Sequence, residues 1–281
     1  MPITTLAHYI RSNVRAALDE DMGSGDLTAQ LISELRQARA SVITREPAVL
    51  CGTLWFEECF LTLDPDCKIT WQVQEGTLAE ANQTLCEIQG DARAFLSAER
   101  PALNFLQTLS AVATLTRRYV EATSGTQAKI MDTRKTLPGL RMAQKYAVKT
   151  GGGHNQRAGL FDGVLIKENH IAAAGGIGKV MELAFQITPP NVSIQIEVET
   201  LPQLDEALNA GARLILLDNF SLADMRLAVG HAAKRAELEA SGGITLENVR
   251  LVAETGVDRI SIGALTKDVK AIDLSMRLSL S

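Results

Sequence analysis

Residues 192–264 read VSIQIEVETLPQLDEALNAGARLILLDNFSLADMRLAVGHAAKRAELEASGGITLENVRLVAETGVDRISIGA. Four apolar runs recur in this stretch, at 192–198, 214–217, 236–240 and 259–262. Their spacing is roughly 20 to 25 residues, the length of one strand-plus-helix unit. Amphipathic segments fill most of the intervals. The rhythm extends backwards to apolar runs at 128–131 and 163–166. Six such units in tandem predict a parallel α/β barrel, complete or incomplete. A doubly wound open sheet is the competing arrangement.

The first ~110 residues follow no such repeat. Residues 5–20 carry Leu6, Tyr9, Ile10, Val14, Ala17 and Leu18 as a helical stripe. The segment DMGSGDLTA that follows holds two glycines and two aspartates, and reads as a loop. Strands are expected at 40–50, 68–73 and 84–88, with a short helix at 52–63. Residues 97–123 read as one long amphipathic helix. Pro101 is expected in its first turn, where a missing N–H costs little. Arg100 then stands at the positive end of the helix dipole, a hint that it serves an external anion.

The chain has 281 residues, a net charge of −5, 46% hydrophobic and 22% charged residues. These are the values of an ordinary soluble protein with a real core. Overall acidity argues against a general nucleic-acid binder. The four cysteines, Cys51, Cys59, Cys67 and Cys86, form no C-x-x-C pair and are expected as buried thiols. The segment MPITTLAHYIRSN has no long apolar stretch, and no run of 18 apolar residues occurs, so a cytoplasmic protein is expected, with no membrane partner.

Charge is unevenly spread. Between Lys129 and Lys167 lie eight cations, Lys129, Arg134, Lys135, Arg141, Lys145, Lys149, Arg157 and Lys167. Only Asp132 and Asp162 oppose them, a local charge of +6, so the remainder of the chain carries −11. Positive charge gathered around the triplet Gly151-Gly152-Gly153 points to a small polyanion, because guanidinium forks match carboxylates and phosphates. The cluster lacks the interleaved aromatics of a single-strand nucleic-acid site.

Polar residues fall at the ends of the predicted strands: Arg134 and Lys135, Lys167, Glu197 with Glu199, Asp218, Ser241-Gly242-Gly243, and Gly263. Active sites of α/β barrels form at the C-terminal strand ends. Glycine turns after the last two strands can hold a phosphate, or can simply make tight turns. Glu197 and Asp218 can hold Mg²⁺, bind sugar hydroxyls, or pair with Lys167 or Arg134. Arg134 and Lys135 share a loop ahead of a helix expected to be opened by Pro138. His154 can act as an acid, whereas His170 reads as a packing or capping residue. No Ser–His–Asp or Cys–His arrangement is visible.

Taken together, EDMGSGDLTA, ERPALNFLQTLSAVAT, DTRKTLPGLRMAQKYAV, GGGHNQRAGLFDGVLIKENH, IEVET, LILLDNF, EASGGI and SIGALTKDVKAIDLS resemble the quinolinate phosphoribosyltransferase family. The matches span nearly the whole chain in order. The resemblance implies an α/β protein of the type II phosphoribosyltransferase kind. It has an N-terminal α/β sandwich (residues 1–110, with the tail 266–281 packing on it) and a C-terminal open parallel α/β barrel (111–265). It implies quinolinate-binding cations at Arg134, Arg157 and Lys167, with Arg100 donated by the neighbouring subunit of a homodimer. Thr133 and Lys135 belong to the same substrate loop. Glu197 and Asp218 match acids serving the Mg²⁺ and ribose of phosphoribosyl pyrophosphate. Ser241, Gly242, Gly243, Ile262, Gly263 and Ala264 match turns holding its 5′-phosphate. Lys135, Glu197 and Asp218 are the expected catalytic residues. One departure is Asn155-Gln156-Arg157, where many members read N-H-R. Gln156 can hydrogen-bond a carboxylate but carries no charge.

The implied reaction joins quinolinate to the sugar donor and releases pyrophosphate and CO2, giving nicotinate mononucleotide, with no tightly bound organic cofactor. A transferase acting on another heteroaromatic acid is one alternative. A non-catalytic phosphosugar-binding barrel is another, though a pure anion binder gains nothing from Glu197 and Asp218.

Overall fold

The computed structural model describes residues 3–33 and 36–280. The chain opens with helix α1 (Ile3–Met22), whose stripe buries Ile10, Val14 and Leu18. A 3-10 turn (Ala29–Leu31) follows, then strands β1 (Gln37–Thr44) and β2 (Ala48–Val49), helix α2 (Thr53–Leu63), strands β3 (Lys68–Trp71), β4 (Leu78–Ala79) and β5 (Thr84–Asp91), and helix α3 (Ala92–Ala122). Thereafter strands and helices alternate: β6 (Lys129–Met131), α4 (Arg141–Thr150), β7 (Gly163–Ile166), α5 (Glu168–Ala174), α6 (Ile177–Ile187), β8 (Ser193–Val198), α7 (Leu201–Asn209), β9 (Leu214–Asp218), α8 (Leu222–Ala232), β10 (Glu237–Ser241), α9 (Val249–Ala253), β11 (Arg259–Ser261), α10 (Ala264–Lys267) and β12 (Leu274–Leu280). Among the described residues no helix is long and apolar enough to cross a membrane.

Two compact units are present. The first comprises residues 1–117, 136–152 and 267–281, and the second 118–135 and 153–266. The division falls inside α3, after Arg117, and 136–152 groups with the first unit. In the first unit an antiparallel sheet runs β12-β1-β5-β3. Strand β1 alternates strictly, with Ala38, Ala40, Val42 and Thr44 buried. An aromatic chain forms the core: Phe56 lies 5.0 Å from Phe60 and 5.4 Å from Trp71, and Phe60 lies 5.5 Å from Phe95. The fully buried rings of Phe56, Phe60 and Phe95 each contribute about 1.5–3 kcal/mol. The tail enters as β12, pairing antiparallel with β1 from Ala38↔Leu280 to Thr44↔Leu274.

Helix α3 begins earlier than its apolar pattern predicts. Asp91 caps it, its Oδ1 accepting from the Ala94 N–H at 2.8 Å. Pro101 therefore lies deep inside the helix, and Arg100 is its ninth residue. Arg100 therefore does not stand at the positive end of the helix dipole, whose field fades within the first turn. Pro138 likewise does not open α4. It sits with Gly139 (φ 77°) in a turn closed by Leu140 N–H donating to Leu137 O at 3.2 Å, the form that needs glycine at its third position.

In the second unit six parallel strands run β6-β11-β10-β9-β8-β7. From β7 to β11 spatial order follows chain order, and β11 then pairs with β6. A doubly wound sheet would reverse its order at a switch point, so that arrangement is excluded. The result is an open α/β barrel whose edge strands are β6 and β7. Strand alternation sends Ile215, Leu217, Leu238 and Ala240 to one face, and Leu216, Asp218, Glu239 and Ser241 to the other.

The glycine triplet is partly explained by packing within the first unit. A Cβ on Gly151 would stand 2.5 Å from the Ala113 carbonyl oxygen and 2.7 Å from Thr116 Cβ, both on α3. That close approach is helix against turn, not backbone against a ligand. Gly151→Ala should therefore cost about 2 kcal/mol, lowering the thermal unfolding midpoint by roughly 4–8 °C. An unchanged midpoint in calorimetry would contradict this packing.

Candidate active site

Because the six strands are parallel, their C-terminal ends share one rim. Register fixes the neighbours: Ser241 lies beside Asp218, Glu197 beside Leu216, Ile166 beside Ile196, and Ser261 beside Met131. The residues just beyond these positions are the predicted ones.

Lys167 and Glu197 meet directly. Lys167 Nζ donates to Glu197 Oε2 at 2.9 Å and Oε1 at 3.3 Å. The ion pairing foreseen as one role for Glu197 is thus present. His170 Nδ1 accepts from the Lys167 backbone N–H at 3.0 Å, so this histidine caps α5. Half-buried Asp218 has its carboxyl pushed above the usual range, first by burial and then by the like charge of Glu197; Lys167 and Lys135 oppose the shift.

The loop after β6 is held from two sides. Thr133 Oγ1 accepts from the Lys135 N–H at 3.0 Å, and buried Thr266 donates its hydroxyl to the Lys135 carbonyl at 2.7 Å. Arg157 is half-buried, and Nη1 donates to the Gly163 carbonyl at 3.0 Å. Burial lowers its pKa, and the neighbouring Arg134 lowers it further against the pull of Asp162. Two guanidinium groups close enough to repel in a half-buried setting are a receptor for anions, whose binding relieves both penalties.

The turn after β10 depends on a residue the sequence reading passed over. Asn219, in the left-handed region (φ 56°), lies beside Gly242, where an added Cβ would fall on its Oδ1. Asn219 N–H donates to the Ser241 carbonyl at 2.9 Å, and its side-chain amide to Asp218 Oδ2 at 3.0 Å. Only glycine fits at 242 (φ 101°). Gly243 (φ 60°) faces open space, and its carbonyl accepts from Asn248 Nδ2 at 3.0 Å. No helix N-terminus follows directly, since α9 starts only at Val249. After β11, the buried Ile262 donates its N–H to the Met131 carbonyl at 3.0 Å, and half-buried Gly263 and Ala264 lead into α10.

The segment carrying Arg157 is pinned by Asp132, fully buried at the end of β6. Its carboxyl accepts from the Gln156 N–H at 2.8 Å and from Asn155 Nδ2. His154 is exposed and joins Met131 through a backbone bridge. Gln156 does bind a carboxylate, but the protein's own: its amide donates to buried Glu239, and to Gln195 at 3.2 Å. Asp132 opens DTRKTLPG and Glu239 opens EASGGI, but neither drew a role from the sequence, and Gln195 lies outside the stretches that carry the family resemblance.

Arg100 belongs to the first unit, whereas the other predicted contacts belong to the second. It is exposed and lines a cavity of about 370 Å³ with Glu20, Asp21, Asn104 and Pro138. Among the described residues no group of three or more His, Cys, Asp or Glu is placed to hold a metal. Glu197 and Asp218 form a pair.

A rim that sets Lys167 and Lys135 beside Glu197 and Asp218, with glycine turns after the last two strands, suits small phosphorylated and carboxylated anions. Residues 26–110 match the family model for the quinolinate phosphoribosyl transferase N-terminal domain, and residues 112–277 that for its C-terminal domain. The chain belongs to the quinolinate phosphoribosyl transferase family. It is 42% identical over 262 residues to the probable nicotinate-nucleotide pyrophosphorylase (carboxylating) of Bacillus subtilis, covering 93% of this chain and 91% of that one. Against a mitochondrial quinolinate phosphoribosyltransferase (decarboxylating) of Nicotiana tabacum identity is 36% over 289 residues, 96% of this chain and 82% of the other. The structure of the nicotinate-nucleotide pyrophosphorylase from Francisella tularensis superposes with a TM-score of 0.94 at 44% identity, covering 99% of this chain and 98% of that one.

The raised Asp218 carboxyl has a stability consequence. Ionisation is disfavoured in the folded state, so the penalty is absent below the unfolded carboxylate pKa, about 3.9, and complete above the folded value. Asp218→Asn should therefore unfold at a higher temperature than the parent near neutral pH, with the gain fading towards pH ~4. A variant less stable than the parent at neutral pH would contradict that.

Proposed function

We infer that the chain transfers the phosphoribosyl group of 5-phosphoribosyl 1-pyrophosphate to quinolinate, with loss of CO2. The products are nicotinate mononucleotide and pyrophosphate, a step of NAD biosynthesis. The observation that supports this is the meeting of Lys167, Glu197, Asp218 and Lys135 at the strand ends, with Arg134, next to Lys135, close enough to Arg157 to lower its pKa.

Each part has a task. Arg134, Arg157 and Lys167 hold the two carboxylates of quinolinate and aim the pyridine nitrogen at the anomeric carbon. As pyrophosphate leaves, positive charge develops on the ribose, and Glu197 and Asp218 stabilise it. Lys135, near enough to Asp218 to oppose its shift, supplies positive charge to the departing pyrophosphate. Gly242, Gly243, Gly263 and Ala264 present backbone N–H groups to the 5′-phosphate, in turns that Ser241 and Ile262 anchor, the Ile262 N–H donating to the Met131 carbonyl. Once attached, the pyridinium ring is an electron sink, and the 2-carboxylate departs as CO2. No protein nucleophile is required.

Glu197 and Asp218 suit Mg²⁺. Asp218, its proton affinity raised by burial and by the charge of Glu197, gains from a cation shared with Glu197, and Mg²⁺ commonly takes one or two protein carboxylates plus water and phosphate oxygens. When bound, the ion neutralises charge on the pyrophosphate. The working unit is a homodimer in which Arg100 reaches the neighbouring chain's site, supported by its exposure and by its place outside the barrel unit. Four free, buried cysteines support a reducing, cytoplasmic setting.

Pyrophosphate release should require quinolinate, with nicotinate giving a rate lower by at least about a hundredfold, because unmet cations are costly in a site built for two carboxylates. Comparable rates with both acids would overturn the assignment. Arg100→Ala and Lys167→Ala should each be nearly inactive. Mixed in equal amounts and allowed to exchange subunits, they should regain roughly a quarter of parental activity, since about half the dimers are mixed and each has one intact site. Exchange seen by native mass spectrometry without recovery would remove Arg100 from the neighbouring site.

A further inference from the structure

The middle of a barrel is normally filled by branched apolar side chains. Here it holds a polar layer. Glu239, on β10, is 1% exposed, and every hydrogen bond it makes is accepted. Its donors are the Gln156 amide, Gln195 Nε2 on β8 (3.1 Å) and the Ser261 hydroxyl on β11. Gln156 also donates to Gln195 Oε1 at 3.2 Å. Three strands are thus tied across the interior to one residue of the loop that bridges β6 through His154. A buried polar layer is often less stable than an apolar one of the same volume. Its gain is a single fixed arrangement.

What it fixes is the neighbour of Gln156. Residues 155–162 contain no helix or strand, yet Arg157 must face the repulsion of Arg134. Asp132 holds the backbone at Gln156 from one side. We propose that Gln156 and Glu239 form an internal strut that seats Arg157, making Glu239 a positioning residue for quinolinate recognition. This rests on the reading of Arg157 as a quinolinate contact. Both amide protons of Gln156 point inward, to Glu239 and Gln195, so its amide nitrogen does not also serve the substrate.

The strut is tested by exchanging its ends. Gln156→Glu sets two carboxyls face to face, and Glu239→Gln sets two amides face to face. Each should raise KM for quinolinate roughly tenfold while KM for the sugar donor stays within about twofold. The double substitution Gln156→Glu/Glu239→Gln rebuilds an amide–carboxylate pair, with Gln195 turning its amide to match. It should bring KM for quinolinate back to within roughly threefold of the parent. Singles that leave this KM unchanged, singles that shift both KM values together, or a double variant no better than its worse single would each overturn the proposal. If Glu239→Gln does not fold, Gln156→Asn, which draws the amide back by one methylene, must show the same KM split. Arg157→Ala is measured alongside. If it raises KM for quinolinate and the strut variants do not, the strut alone fails. If it changes nothing, the reading of Arg157 fails and the strut with it.

Discussion

The pairing of β11 with β6 is the constraint on which the rest depends. Ile260↔Ile130 and Ser261↔Met131 join the last strand of the series to the first. That contact turns a row of strands into an open barrel and collects loops more than a hundred residues apart in sequence. Thr266 after β11 can then hold the Lys135 carbonyl, and Ile262 can donate to Met131. Without this closure Arg134 and Lys135, the cations after β6, would be parted from the acids and glycine turns at the other strand ends.

Electrostatics on the rim follow from that geometry. Like charges are placed together twice, Arg134 with Arg157 and Glu197 with Asp218. Neither arrangement favours the empty fold. Both are suited to a reaction in which a dicarboxylate meets a sugar that becomes cationic as a pyrophosphate departs. The Lys167–Glu197 contact is the compromise between the two groups, and it is half-exposed, so solvent screens it.

Much of this was legible in the sequence. The six apolar runs correspond to β6–β11 because parallel strands covered on both faces are mostly apolar, with Gln195 and Glu239 as buried exceptions. The rim residues were legible because charge at a strand end has few structural uses. What escaped notice has physical reasons. Asp91 starts α3 ten residues before Pro101, and a cap is a weaker signal than a proline. The triplet at 151–153 resembled a ligand loop, yet Gly151 is required by α3. Glu239 and Gln156 are 83 residues apart, and Gln195 lies 39 from Gln156, so no local pattern joins them. Asn219 was masked by its role, which is to fill the space a side chain at 242 would need.

The most direct test of the central claim is a crystal structure with quinolinate and an unreactive analogue of the sugar donor. Both carboxylates should lie within hydrogen-bonding distance of Arg134, Arg157 and Lys167. The ribose should face Glu197 and Asp218, and the 5′-phosphate should meet the turns at 241–243 and 262–264. Ligands bound elsewhere, with those side chains turned to solvent, would contradict the account.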